Sequence, residues 1–380
     1  MGESHSMMLV KQATEASERY LDAQASGQIN TMPTFLEGHT VMNLSHTLNR
    51  TLRHMNLHVS RATTNANAMR RGYNAGHKSE ALSTMVQVQG DPTAFDAVYD
   101  ALSDEDSRRT FDWFISYRTA LAFVGEDADD VVPGMMSIAE LQSVGDQASR
   151  TFVGGTYHVD GLTIDTLLGE LVLTFFLEQY RLKDIVEPRS GDVVLDCGVY
   201  RGETALWFAR RVGKGGRVVA FEPAAHNAER LRRNLAANRS VEMGPVTVVE
   251  CAVSSSAGMP HFNTHAENSS CMDAASTESV PAVTIDDVVE EQHLRRVDFI
   301  KMDIEDGEVD ALRGAERTLR KLAPKLAVCV YHRPHDLPDI VALVRHARPD
   351  YSLYLSHRSP NWNETVLFAC VSPVSGPCSR

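Results

Sequence analysis

Between residues 193 and 223 the chain orders its residue types as a nucleoside site requires. The apolar run Val193-Val194-Leu195 delivers Asp196-Cys197-Gly198-Val199-Tyr200-Arg201-Gly202, and a second run, Arg217-Val218-Val219-Ala220-Phe221, ends in Glu222-Pro223. Gly198 and Gly202 would let a turn pass close to a ligand with no side chain in the way, while Glu222, at the carboxyl end of the next strand, could accept from both hydroxyls of a ribose. The spacing D-x-G-x-x-x-G differs from the G-x-G-x-x-G of dinucleotide sites, whose backbone amides grip a pyrophosphate. S-adenosylmethionine (SAM), a nucleoside without phosphates that carries a sulfonium, suits it better. An ordinary tight strand-to-helix turn would show the same glycine pair.

The elements that must hold these residues can be read from periodicity. Further strands are expected at Val246–Val253, Val297–Ile304 and Lys325–Tyr331. Helices are expected after the glycine turn as far as Gly213, over Ala224–Asn238, over Glu308–Leu322 and near Leu337–Ala347. The runs Tyr351–Leu355 and Thr365–Cys370, joined by a short polar loop, read as an antiparallel hairpin at one edge of the sheet.

An open parallel sheet finished by such a hairpin is the architecture of class I SAM-dependent methyltransferases. Within that class the chain resembles the FkbM methyltransferases. The likeness lies in D-x-G-x-x-x-G, in Phe221-Glu222-Pro223, in Asn234, and in Phe299-Ile300-Lys301-Met302-Asp303-Ile304-Glu305 followed by Glu308. It continues in Tyr331-His332-Arg333-Pro334, His357 and Asn363–Ala369, and covers roughly residues 165 to 372. The chain departs from the family in Val199, where alanine is usual, and in Asp303-Ile304-Glu305-Asp306-Gly307-Glu308, where the glycine of D-x-E-G-x-E has slipped one place.

The resemblance implies a fold and a site. The fold is α/β, a class I Rossmann-like sheet, mostly parallel with an antiparallel terminal hairpin, behind a mainly helical N-terminal region. Residues 1–80 are expected as an extension, 81–185 as a helical pre-domain that caps the site or pairs two subunits, and 186–380 as the methyltransferase domain. Asp196, Gly198 and Gly202 are expected around the amino-acid and sulfonium part of SAM, Glu222 on the ribose and Ala252 near the adenine, with Tyr200, Pro223 and Asp303 in the same set.

The expected reaction is methyl transfer to a hydroxyl of a small metabolite, sugar or secondary metabolite. Because the sulfonium already activates the methyl carbon, the protein must align the reactants and remove one proton. Asp303, His332 and His357 are the catalytic candidates, with Glu305 paired to Asp303. The acids Asp303, Glu305, Asp306 and Glu308 could instead bind Mg²⁺ and acidify a coordinated hydroxyl. Two rival readings are an N-methyltransferase of a peptide or amine and a SAM-binding scaffold without activity.

Composition bounds the rest. The chain has 380 residues, 43% hydrophobic content and a formal charge of −13. It exceeds one ordinary domain, and its acidity argues against a nucleic-acid partner. Six cysteines without a C-x-x-C pair read as reduced core residues of a cytoplasmic protein. Leu171–Leu177 is apolar but too short to span a bilayer, so no membrane is expected. The start suits M-G-x-x-x-[ST], yet reads better as a plain polar start without a secretory signal. Helical patterns run over Met8–Ala25, Met42–Met55, Ala97–Leu102, Ser107–Ala122 and Ile164–Tyr180, with a linker at Ala62–Ser79. His54 and His58 stand four apart without a third ligand, so a helix surface or partner interface is expected there.

Overall fold

The computed structural model describes residues 4–26, 76–263, 271–272, 276, 278–359 and 362–371. The expected helix at 42–55, the His54/His58 pair, Gly2 and most of the 62–79 tract lie outside them.

Helix α1 (His5–Ala25) begins at Ser4, whose hydroxyl accepts from the Met7 N–H. It packs on α4 (Glu105–Val124), as does α2 (Lys78–Gly90), which therefore takes in the last two residues of the expected linker. Asp91 caps α3 (Pro92–Ala101), Asp104 caps α4, and Ser137 with Glu140 forms a capping box on α5 (Ile138–Ser149). Leu9, Val10, Val88, Phe95, Phe111 and Phe114 of these helices share one core with residues of the central sheet.

The expected helix over 164–180 is a correction. Ile164 ends a three-stranded meander, Phe152–Val153, Thr156–Val159 and Leu162–Ile164. Its two turns, Gly154-Gly155 and Asp160-Gly161, have positive φ at both central residues, the twist that two-residue hairpins require. Only Leu168–Leu171 is α-helical, widening into a π-helical turn at Val172–Phe176.

The seven-stranded sheet comprises β1 (Val193–Cys197), β2 (Arg217–Phe221), β3 (Val246–Val249), β4 (Phe299–Met302), β5 (Lys325–Cys329), β6 (Tyr351–His357) and β7 (Thr365–Val371). Its order is β6-β7-β5-β4-β1-β2-β3, with β7 antiparallel to both neighbours and all other pairs parallel. The chain order reverses between β1 and β4, and ligands of open α/β sheets bind outside the carboxyl ends at such a reversal. Alternate residues separate the two faces: Leu195, Val219 and Ile300 enter one core, and Val194, Val218 and Phe299 the other.

Two expected elements are broken. The third strand stops at Val249, and Ala252–Val253 pairs instead with Ala282–Val283. The helix expected over 308–322 splits into Glu308–Arg313 and Glu316–Leu322. The remaining sheet helices, Glu203–Val212, Ala225–Ala237 and Asp336–Ala347, fall within a residue or so of expectation.

Candidate active site

The β1 turn is shaped by the chain itself. Gly198 has φ +82°, and a Cβ there would stand 1.8 Å from the Asp303 carbonyl oxygen, so the β1 and β4 turns touch at the point where strand order reverses. Gly202 has φ +96° and would press a Cβ 2.4 Å from Leu231. Both glycines are therefore demanded by the packing of neighbouring chain, which any bound ligand then inherits.

Asp196 is fully buried and accepts from the Thr204 hydroxyl at 2.8 Å. Its other oxygen lies 3.5 Å from Lys301 Nζ, which also donates to the Cys197 carbonyl at 3.3 Å and to that of Gly198. Burial raises the Asp196 carboxyl above its ordinary range, against the pull of Lys301. For Lys301, burial favours the neutral amine, but Asp196 and Asp303 prevail and raise its pKa. Lys301 thus remains an ammonium that ties the two turns together.

Glu222 ends β2 at 3% exposure. One oxygen accepts from the Tyr200 N–H at 3.0 Å, and the other from the Ala224 N–H at 2.9 Å and the Asn227 amide at 3.4 Å. Burial pushes its carboxyl up to about 7 despite those donors. Tyr200 is held at φ 49°, unusual for a tyrosine. Beyond β2 and β3 lies a cleft of about 630 Å³, lined by Pro223, His226, Glu250, Ser279, Val280 and Pro281 among others. Ala252 is buried beside it with Phe262, Val280 and Ala282.

Across the crevice, Asp303 accepts from the Tyr180 hydroxyl at 2.6 Å and the Tyr331 hydroxyl at 3.3 Å. His332 Nε2 stands 3.4 Å from Asp303 and 3.6 Å from Glu305, and its Nδ1 is 3.0 Å from Glu308. Burial alone would lower the imidazole pKa, but the carboxylates of Glu308, Glu305 and Asp303 raise it well above its ordinary value. His332 is thus held as an imidazolium. Burial opposes ionisation of Asp303, yet Lys301, His332 and Tyr180 hold its carboxyl below the usual range. Glu305 differs: burial pushes it up to about 7, and its side chain keeps 34% exposure. Glu305 and Asp306 both adopt the left-handed region, at φ 52° and 74°.

One oxygen each of Asp303 and Glu308 and one nitrogen of His332 lie within 4.8 Å of one another. Mg²⁺ prefers a near-octahedral set of oxygens and keeps several waters, whereas this trio is centred on a charged imidazole, and Glu308 is fully buried and accepts from the Ile304 N–H. The residues do not fit Mg²⁺, and no step is routed through it.

His357 is placed apart from this group. It ends β6, at the sheet edge, where Nδ1 pairs with the Thr365 hydroxyl at 2.9 Å and the ring packs 4.2 Å from Trp113. The structure thus gathers Asp196, Gly198, Glu222, Asp303 and His332 at the carboxyl ends of neighbouring strands, where the strand order reverses, and sets His357 against α4.

Several site residues were given no role in the sequence reading. Lys301 had a signal, a lysine inside an otherwise apolar four-residue strand. Glu364 lay in the Asn363–Ala369 match, while Tyr180, Glu170 and Glu203 had no signal. Burial is the main influence raising the carboxyls of Glu170 to about 7 and Glu203 to about 8, and it raises Glu364 well above its ordinary value. Tyr180 is positioned by the turn after the π-helical segment, where Arg181 bridges Glu178 at 2.6 Å and Glu187 at 2.7 Å. Gln179 reaches Glu364 at 3.3 Å, and Arg358 donates to the Leu177 carbonyl at 3.2 Å.

The comparisons agree with this architecture. Methyltransferase sdnD of Sordaria araneosa is 26% identical over 196 residues, covering 42% of this chain and 74% of that protein. The crystal structure of methyltransferase FkbM from Methylobacillus flagellatus KT superposes with a TM-score of 0.51 at 20% identity, covering 76% of this chain. The match spans 60% of that chain's length, and at this identity it speaks for the fold alone. Among the described residues no helix is long and apolar enough to cross a membrane. Residues 196–351 match the methyltransferase FkbM domain, so this part of the chain, which carries most of the class I sheet, is similar to the FkbM methyltransferases.

Proposed function

We propose that the protein transfers a methyl group from SAM to a hydroxyl of a small metabolite. The observation that carries this reading is the contact of Gly198 with the Asp303 carbonyl, which joins the Glu222 side and the Asp303 side into one crevice at the reversal of strand order. The ribose would lie on Glu222, the adenine in the cleft bounded by Pro223 and Val280, and the sulfonium near the buried Asp196 and the half-buried Asp303.

Glu305 is the group best poised to take the acceptor proton, because its pKa near 7 matches neutral operation and it remains open to solvent. Asp303 is already engaged by two tyrosines and His332, so it orients the hydroxyl. His332 holds the carboxylates in register. His357 pairs with Thr365 of the sheet edge and packs on Trp113 of α4, which supports a structural part for it.

Calorimetry tests the cofactor placement. Glu222→Ala removes a charge-assisted acceptor for two ribose hydroxyls, expected to cost about 1.5–3 kcal/mol, or roughly ten- to a hundredfold in SAM affinity. SAM binding at wild-type strength would sink the placement. A mass-gain screen across hydroxyl-bearing metabolites then identifies the acceptor, and gain confined to amines would transfer the reading to N-methylation.

A further inference from the structure

Arg118 of α4 is only 1% exposed, yet neither terminal guanidinium nitrogen has a hydrogen-bond partner among the described residues. Its guanidinium carbon sits 3.5 Å from the Phe114 ring centroid and 5.0 Å from that of Trp362, in the loop between β6 and β7. The Trp362 indole N–H is likewise buried and unpartnered among the described residues. An arginine stays charged at physiological pH, and ring stacking offsets only part of the cost of burying that charge. Burial lowers the Arg118 pKa to about 9, with Tyr117 the countering influence.

Three buried donors without acceptors among the described residues thus meet at one loop. That loop also carries Glu364, two residues beyond Trp362 and hydrogen-bonded to Gln179 beside the Tyr180–Asp303 pair. Two residues of chain span at most about 7 Å, so the Trp362 backbone stands within that distance of the Glu364 backbone, on the segment that borders the Tyr180–Asp303 pair.

We propose that Arg118 and Trp362 form a carboxylate-binding subsite beneath the β6–β7 loop, and that the methyl acceptor is an organic acid whose carboxylate is held there while its hydroxyl reaches the Asp303 side. A guanidinium fork matches a carboxylate in two parallel hydrogen bonds, and the indole supplies a third donor. The acidic crevice would repel that carboxylate, so the arrangement also orients the acceptor. The acceptor half rests on the methyl-transfer reading; the subsite itself does not.

The test uses the intact protein and thermal unfolding with sodium acetate, sodium phosphate or sodium chloride at equal ionic strength. Acetate is expected to raise the melting temperature saturably where chloride does not. Arg118→Gln should weaken acetate about ten- to a hundredfold, with Arg118→Lys, which keeps the charge but loses the fork, in between. Equal effects of acetate and chloride on the wild type, or an unchanged acetate affinity in Arg118→Gln, would overturn the subsite. If Arg118→Gln does not fold, Arg118→Lys and the wild-type titration decide. A response to phosphate but not to acetate would overturn the carboxylate assignment.

The acceptor half is read separately, by offering each hydroxy acid of a metabolite panel beside its own carboxamide. Preference for the acid supports it, and equal turnover of the pair, or turnover of no acid, overturns it. Failure to bind SAM in calorimetry would instead end the methyl-transfer reading, leaving the acetate titration to decide the subsite alone.

Discussion

Asp303 receives two tyrosine hydroxyls and faces an imidazolium before any acceptor arrives, so little of its basicity is left. Glu305, two residues on, shares His332 but titrates near 7, and it must be ionised to accept a proton. The methyl-transfer rate is therefore expected to rise with pH through about 7. Glu305→Gln should lower it about 10²-fold and abolish that limb, with SAM affinity unchanged. Asp303→Asn should also slow transfer but keep the limb, since Glu305 remains. A Glu305→Gln enzyme with a wild-type rate and pH profile would return the proton to Asp303. At this scale the sequence exposed what sits at strand ends, because Asp196, Glu222, Asp303 and His332 all follow apolar runs. Glu170 and Tyr180 could not be seen, because each reaches Asp303 through packing between segments distant in sequence.

The N-terminal helices also protect the sheet. Strand β6 is an outer strand, and an open edge offers unpaired backbone groups to other chains. Here the Ser103 hydroxyl accepts from the Leu353 N–H at 3.0 Å, the Ser107 hydroxyl accepts from the Leu355 N–H at 2.9 Å, and the Ser103 N–H donates to the Leu353 carbonyl at 2.8 Å. Ser107→Ala would leave a buried amide without an acceptor, and a loss of about 1–3 kcal/mol is expected in urea unfolding. Unchanged stability would show that the serine is dispensable to the edge. Periodicity exposed the strands and most sheet helices, because an apolar stripe records which face is buried. It did not expose the meander, although Gly154-Gly155 and Asp160-Gly161 are hairpin signals, nor the docking of α4 on β6, which depends on single hydroxyls.

Across the molecule, buried acids gather at one end of the sheet, which sets the pH dependence of stability. Burial raises Asp336 to about 6, Glu170, Glu222 and Glu305 to about 7, and Glu203 to about 8. A carboxyl whose folded pKa lies above its unfolded value of about 4 contributes stability fully present below that value and lost as pH rises through the folded one. His332, also raised, acts in the same direction above its ordinary value. Asp303, Asp96 and Glu178 are lowered, so their contribution is present above about 4 and lost as pH falls through their folded values. The unliganded protein is therefore expected to be most stable between about pH 4.5 and 6, with its melting temperature falling steadily from there to pH 8.5. A sulfonium entering the crevice favours the ionised acids, so the stabilisation by saturating SAM should be larger at pH 8 than at pH 5.5. Thermal unfolding across that range, with and without SAM, checks both slopes. A melting temperature that climbs toward pH 8 without ligand would mean that these carboxyls are ionised in the resting protein, and that the crevice is already balanced by its own cations.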